Sequence, residues 1–397
     1  MSTVKRISIL GSTGSIGKNT LDIIARNRDL FRVVSLASRS DVESIVRQAR
    51  EYKPKLIALF DEEAACDAES SLAGSGISVL SGMEGILEAS TIPEADTVVS
   101  AIVGAAGIMP TFAAVEAGKD VALANKEALV AAGSIITNEA RRTGARILPV
   151  DSEHSAVFQA IMGQDTDGVQ RLILTASGGP FFGKGFDFLD RVTPEMALNH
   201  PRWEMGPKVT VDSATMMNKG LEVIEAYWLF GVPDERIEVV VHPQSIVHSM
   251  VEFIDGSTLA QMGIADMRLP IAFALGYPDR MSLPFEPLDL TAEGRLEFFK
   301  PDLEFFPCLS LAYKALRRGG GIPAVMNAAN EMAVEAFLNG QLPFTGIPRV
   351  VAHVMETAPE VQDRNLAEIL RGDSWARKAA NEYIASPGDS FLEKESG

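Results

Sequence analysis

Short apolar runs alternate with longer amphipathic stretches through the first 150 residues of the chain. The spacing predicts strands over 4–10, 31–37, 56–60, 77–80, 97–103, 121–124 and 146–150, with helices between most of them, such as 41–52. Strands that alternate with helices predict a parallel, doubly wound α/β sheet. From Asp151 the pattern changes. Strands are expected over 171–175 and 237–241, and 246–253 and 258–262 flank Asp255-Gly256, a strong hairpin turn signal. This region reads as α+β. The stretch 277–303 holds Pro278, Pro284, Pro287 and Pro301 with little periodicity and reads as a linker. Helical periodicity then returns over 308–317, 323–339, 348–357 and 365–384. The expected segments are thus a sheet domain at 1–150, an α+β domain at 151–276, a linker at 277–303, a C-terminal helical domain at 304–385 and a tail at 386–397.

A length of 397 residues supports two or three domains. No apolar run reaches the roughly 18 residues of a membrane span, so no membrane partner is expected. The opening Met1-Ser2-Thr3-Val4-Lys5-Arg6 runs into a strand, so no signal peptide is expected and the cytoplasm is the expected location. Cys66 and Cys308 lack neighbouring His or Cys at ligand spacing and read as reduced structural residues. A net charge of -17 argues against nucleic acid, whose phosphates call for a basic surplus. An acidic chain that binds phosphate must also gather its cations locally, and Arg39, Lys126, Lys208 and Lys219 are the candidates.

Glycines at 11, 14 and 17 follow a strand and open a helix, the context of a dinucleotide-binding turn of Rossmann type. The spacing is GxxGxxG rather than GxGxxG, and a plain strand–helix turn is the alternative. At the end of the second strand, Ser38-Arg39-Ser40 offers a guanidinium and hydroxyls where an NAD enzyme usually has a carboxylate, which favours NADP. Asp41 either repels a 2′-phosphate or caps the next helix. Asn125-Lys126-Glu127 follows the strand over 121–124, where parallel sheets bind ligands. Asp151 and Glu153 close the seventh strand, and Glu222 opens a helix expected over 220–230. Three carboxylates without Cys suit Mg2+ or Mn2+, although an Asp-Ser-Glu segment alone is also a common helix cap. Ser177-Gly178-Gly179, Ser213, Asn218 and Lys219 offer hydroxyl, backbone N–H, amide and ammonium donors, the equipment of a phosphate site. The segment from His200 to Pro207, with Trp203 and Met205, would make a mobile lid or an ordinary surface loop. His242 and His248 lie on or beside strands and read as structural.

Taken together, these segments resemble the 1-deoxy-D-xylulose 5-phosphate reductoisomerase family. The matching blocks are Ile9 through Gly17, Ala124-Asn125-Lys126-Glu127, Pro149 through His154, Ala176 through Pro180, Asn199-His200-Pro201, Val211 through Glu222, and His242-Pro243-Gln244-Ser245 with His248. The resemblance implies an NADPH-binding sheet domain, a central domain for catalysis, metal binding and dimerisation, and a C-terminal helical bundle. It implies that Thr13, Gly14, Ser15 and Ile16 wrap the NADPH phosphates, that Arg39 and Ser40 meet the 2′-phosphate, and that Asn125, Glu127 and Gly206 touch the cofactor. Asp151, Glu153 and Glu222 would bind Mg2+, Mn2+ or Co2+. Ser177, Ser213, Asn218 and Lys219 would hold the substrate phosphate, while Lys126, Ser152 and His200 surround the reacting carbons. Glu153, Lys126 and His200 are the expected catalytic residues, with Glu153 as a candidate base and the loop over 200–208 as a flap. The chain departs from the family's usual residues at Arg39-Ser40-Asp41, Arg202, Pro207 and Phe182. The implied reaction is the NADPH- and metal-dependent isomeroreduction of 1-deoxy-D-xylulose 5-phosphate to 2-C-methyl-D-erythritol 4-phosphate, by a homodimer. Two other readings stay open: a metal-independent NADP dehydrogenase of another phosphorylated or carboxylated substrate, and an NADP(H)-sensing binding protein without turnover. Neither needs the three carboxylates.

Overall fold

The computed structural model describes residues 4–200 and 205–386. The chain divides into two compact units. The first comprises Met1–Ala128, Ile136–Phe158 and Asp266–Glu286; the second comprises Leu129–Ile135, Gln159–Ala265 and Pro287–Gly397.

The first unit is built on seven strands: β1 (Lys5–Leu10), β2 (Phe31–Ser38), β3 (Leu56–Leu59), β4 (Ser78–Ser81), β5 (Thr97–Ser100), β6 (Asp120–Leu123) and β7 (Ile147–Pro149). All pair in parallel, in the order β4-β3-β2-β1-β5-β6-β7. The direction of strand order reverses between β1 and β5, which places a crevice at the carboxyl ends of these strands. β1, β2 and β5 are buried along most of their length, as strands of a parallel sheet covered on both faces are. Ile7, Ile9, Leu36, Ile57 and Val99 are fully buried there. The helix Ser15–Arg26 turns Leu21, Ile23 and Ile24 inward. The helix Val42–Tyr52 is capped by Asp41, whose Oδ1 accepts from the Ser44 N–H at 3.0 Å.

One element of this unit was not expected. The helix Arg268–Gly276, inside a segment expected to belong to the α+β domain, adds Ile271, Ala272, Ala274 and Leu275 to the core of the seven-stranded unit. Lys5 Nζ donates to its Leu275 carbonyl at 2.6 Å. Its sequence is nearly all apolar, so periodicity could not say which core it would join.

The second unit holds a four-stranded sheet of β8 (Val169–Ala176), β9 (Ile237–Val241), β10 (Val247–Phe253) and β11 (Thr258–Met262), in the order β11-β10-β8-β9. β8 and β9 are parallel, and β10 pairs antiparallel with both β8 and β11. The β10–β11 turn forms at Asp255-Gly256, where Gly256 takes φ +84° and Asp255 accepts from the Ser257 N–H. The helix Met217–Phe230 crosses Pro307–Arg318 so closely that a Cβ on Gly220 would lie 2.5 Å from the Ala312 Cβ. The helices Ile322–Leu338, Gly346–Thr357 and Leu366–Ala385 follow.

The expected linker is more ordered than its prolines suggest. Past a short helix, Leu290–Glu293, the chain docks on β9, where Phe299 and Val241 exchange backbone hydrogen bonds of 2.9 and 2.8 Å. The Glu297 carbonyl meets His242 Nδ1 at 2.8 Å, and Phe298 stacks on the same ring at 4.6 Å. His242 Nε2 in turn accepts from the Ile246 N–H, so this buried histidine is structural. Among the described residues no helix is long and apolar enough to cross a membrane.

Leu36 sits at the centre of the first core. Leu36→Ala should lower unfolding stability by about 2–5 kcal/mol through the cavity it leaves, read as a shift of the urea midpoint. A change below about 0.5 kcal/mol, the size of an ordinary surface substitution, would show that Leu36 is not part of a closely packed core.

Candidate active site

In the first unit, the turn after β1 is tied down from several sides. The N–H groups of Gly11 and Ser12 donate to the Ala37 carbonyl at 2.9 and 2.8 Å. Gln48 Nε2 donates to the Ser12 carbonyl at 2.9 Å. Thr13 Oγ1 and Ser38 Oγ lie 2.8 Å apart. Gly11 takes φ +87°, and a Cβ there would fall 2.5 Å from the Ala101 carbonyl oxygen, so only glycine fits. Gly14 is the N-cap of Ser15–Arg26 and makes no side-chain cap, which leaves the first N–H groups of that helix aimed outward. A Cβ on Gly14 would meet nothing closer than 3.5 Å. An exposed, uncapped helix start beside a glycine turn fits a pyrophosphate. Arg39 and Ser40 are exposed just past β2. Asp41 is committed to its helix. Burial pushes its carboxyl up, but hydrogen bonds from Ser44 and the charges of Lys18 and Arg47 leave it below its ordinary value. Of the two readings of Asp41, the cap is the one the structure contains.

Asn125, Lys126 and Glu127 begin the helix Lys126–Thr143 at the carboxyl end of β6 and are all buried. Asn125 is the N-cap, accepting from the Ala128 N–H at 2.7 Å. Its amide also donates to the carbonyls of Ile102 and Gly104, clamping the segment after β5. Asn125 therefore shapes the crevice as well as lining it. Lys126 lies in the first turn, where the positive end of the helix disfavours a cation. Asp151, just past β7, compensates with an oxygen 2.7 Å from Lys126 Nζ. Ser152 Oγ donates to Glu153 Oε2 at the start of the helix Ser152–Ile161. The buried His154 places its Nδ1 3.7 Å from the same Asp151 oxygen.

In the second unit, the chain leaves β8 through Ser177-Gly178-Gly179, with φ of +83° and +66° at the two glycines. Ser177 Oγ lies 3.0 Å from His200 Nε2 and accepts from the Gly179 N–H at 3.2 Å. Ser213 sits on the helix Pro207–Thr215, whose N-cap is the exposed Gly206. Met216 takes φ +59° and turns the chain into Met217–Phe230. That helix starts three residues earlier than expected, so Asn218 and Lys219 lie in its first turn and Glu222 in its second. Both Asn218 and Lys219 donate to the Glu222 carboxylate, Lys219 and Glu222 being buried. Pro207 and Lys208, expected in the flap, belong to a helix instead. Pro201, Arg202, Trp203 and Glu204 lie outside the described residues. Phe182, a departure from the family's usual residues, packs on Phe299 at 5.4 Å between ring centres.

Within each unit the expected residues thus fall into contact: Lys126 with Asp151, Ser152 with Glu153, Ser177 with His200, and Asn218 and Lys219 with Glu222. Gln48, which holds the glycine turn, was missed. Gln48 lies on the buried stripe of Ile45, Val46 and Ala49, and a lone amide on an apolar stripe was the available signal. Burial holds the His200 imidazole below its ordinary value of 6.5. A histidine that is harder to protonate when folded lets the unfolded chain bind more protons, so stability falls as pH drops through 6.5 towards the lower folded value. Between pH 6.5 and 5, unfolding stability of His200→Asn should fall less steeply than that of the parent chain. Equal slopes would show that His200 is not desolvated.

Three family models match the chain: 1-deoxy-D-xylulose 5-phosphate reductoisomerase over residues 7–133, the 1-deoxy-D-xylulose 5-phosphate reductoisomerase C-terminal domain over 147–230, and the DXP reductoisomerase C-terminal domain over 262–379. The 1-deoxy-D-xylulose 5-phosphate reductoisomerase of Geotalea uraniireducens is 52% identical over 381 residues, covering 96% of this chain and 99% of the relative. That of Heliobacterium modesticaldum is 54% identical over 383 residues, covering 96% and 98%. The solved Zymomonas mobilis enzyme in complex with NADPH superposes with a TM-score of 0.91 at 43% identity, covering 97% of this chain and all of that one. A DOX-P reductoisomerase in complex with NADPH, fosmidomycin and magnesium gives a TM-score of 0.92 at 42% identity, covering 96% and 98%. With family models matching most of its length and relatives more than half identical over nearly all of it, the chain belongs to the 1-deoxy-D-xylulose 5-phosphate reductoisomerase family.

Proposed function

We propose that this protein converts 1-deoxy-D-xylulose 5-phosphate to 2-C-methyl-D-erythritol 4-phosphate with NADPH and a divalent cation, in the non-mevalonate synthesis of isoprenoid precursors. Among features of the fold, the pair of Lys126 and Asp151 at the carboxyl ends of β6 and β7 carries most of the reading. It holds a buried ammonium and a hard oxygen ligand side by side, next to the segment clamped by Asn125.

The residues fit the two groups that the reaction needs. The uncapped start of Ser15–Arg26, with Thr13, Gly14, Ser15 and Ile16, suits the pyrophosphate of NADPH, and Arg39 with Ser40 suits its 2′-phosphate. Asn125, Glu127 and Gly206 are assigned to the same cofactor. Asp151, Glu153 and Glu222 are assigned to Mg2+, Mn2+ or Co2+. They are all hard oxygen donors, and ammonium groups already stand at Asp151 and Glu222 as cations. When bound, the metal polarises the substrate carbonyl and NADPH supplies the hydride.

The chain's own residues do the rest. Ser177, Ser213, Asn218 and Lys219 bind the phosphate group through hydroxyl, amide and ammonium donors. Lys126, Ser152 and His200 orient the reacting carbons, and Glu153 can take the hydroxyl proton on its carboxylate. His200, kept neutral by burial, can accept or donate one hydrogen bond at each ring nitrogen. Binding energy from the phosphate, remote from the reacting bonds, can be used to exclude water. A homodimer belongs to the same reading, and the exposed Ile254 and Leu259 at the β10–β11 hairpin supply apolar surface for it. So does a cytoplasmic location, since Cys66 and Cys308 are unbridged.

The direct test follows NADPH absorbance with 1-deoxy-D-xylulose 5-phosphate and Mn2+, then with excess EDTA. Consumption should require the metal. Undiminished turnover in EDTA would favour a metal-independent dehydrogenase, and tight NADPH binding without turnover a sensing protein. Asp151→Asn should lower kcat by at least about a hundredfold, the scale of losing a few kcal/mol of charge stabilisation, and leave the NADPH Kd within about twofold. A parental kcat would remove Asp151 from the metal ligands.

A further inference from the structure

The donors assigned to the substrate phosphate depend on one short helix of the second unit. Ser213 lies on Pro207–Thr215, and the left-handed turn at Met216 leads directly to Asn218 and Lys219. The loop after β8 rests on the same helix. A Cβ on Gly179 would fall 2.7 Å from the Ser213 carbonyl oxygen and 3.1 Å from the Ala214 Cα. A small rotation of Pro207–Thr215 therefore shifts Ser177, Ser213, Asn218 and Lys219 together.

Asp212 is a polar anchor on that helix, with its side chain 1% exposed. A carboxylate at that depth requires partners. Lys208 Nζ lies 2.9 Å from its Oδ2, but Lys208 is one turn back on the same helix and cannot fix it against anything else. Asn330 can. It lies fully buried on Ile322–Leu338, and its Nδ2 donates to Asp212 Oδ1 at 2.7 Å. That helix supplies none of the residues assigned to substrate, metal or cofactor.

We propose that Asn330 is a positioning residue for phosphosugar binding, setting the phosphate donors by holding Asp212 from the C-terminal helices. The inference rests on the reading that Ser177, Ser213, Asn218 and Lys219 take the phosphate. A hydrogen bond to a charged group that is lost at this depth is worth roughly a factor of ten.

The test uses the full chain with Asn330→Leu, which nearly keeps the volume and removes the donor. KM for the phosphosugar should rise about tenfold, with kcat within about threefold and the NADPH Kd within about twofold. Inorganic phosphate should protect the parent chain from thermal unfolding and protect the variant less, a readout that needs no turnover. A folded variant with a lower Tm but parental KM and parental phosphate protection would overturn the proposal and leave Asn330 a structural brace. If Asn330→Leu does not fold, Asn330→Ala, which also removes the donor, is read by the same criteria. Failure of both to fold would also overturn it, because the residue would then hold up the fold rather than place the donors. Lack of turnover by the parent chain, with phosphate protection still sensitive to Asn330, would instead count against the reductoisomerase reading alone.

Discussion

An acidic chain that is to hold anions must first settle its own buried charges, and here it does so by the same device three times. Lys126, Lys208 and Lys219 each stand in the first turn of a helix, where the helix dipole repels a cation. Each is paired with a carboxylate: Asp151, Asp212 and Glu222. The local result is a helix start, an ammonium and a carboxylate in one place. With a net charge of -17 over the chain, the cations are not spread as a basic surface but concentrated where the helices begin.

In the first unit, strand order gathers these groups at the carboxyl ends of the strands. β1 and β5 are neighbours in space but far apart in sequence, so the glycine turn after β1 and the segment after β5 flank the switch point. Asn125 then bonds the segment after β5 to the start of the next helix. Gln48 holds the glycine turn from another side. These polar ties matter because the turn itself has little side-chain packing to hold it. In the second unit Ser213, Asn218 and Lys219 sit on helices rather than at strand ends, and a left-handed residue at Met216 joins the two helices.

Much of this was legible in the residues. Strand existence and type followed from period, because a sheet covered on both faces needs continuous apolar runs, and only the ends moved, by one to three residues. The hairpin at Asp255-Gly256 followed from turn chemistry. The helix Arg268–Gly276 was not legible, since a stretch that is apolar almost throughout after Arg268 satisfies any core it meets. The docking of 297–299 on β9 was hidden as well, because proline content marks where a chain cannot be helical and not where it can pair.

The sequence by itself determined which chemistry the chain can offer: a glycine turn for a dinucleotide, carboxylates for a hard cation, and hydroxyl, amide and lysine donors for a phosphate. Those are properties of side chains and of short spacings, which survive without knowledge of the fold. Only the tertiary structure decided which groups are already engaged. Asp41 is a helix cap because Ser44 lies within reach, Asn125 is a clamp because the segment after β5 passes beside it, and Asp212 is pinned because Asn330, over a hundred residues away, faces it. Pairings of that range depend on packing, and no local pattern in the chain records them.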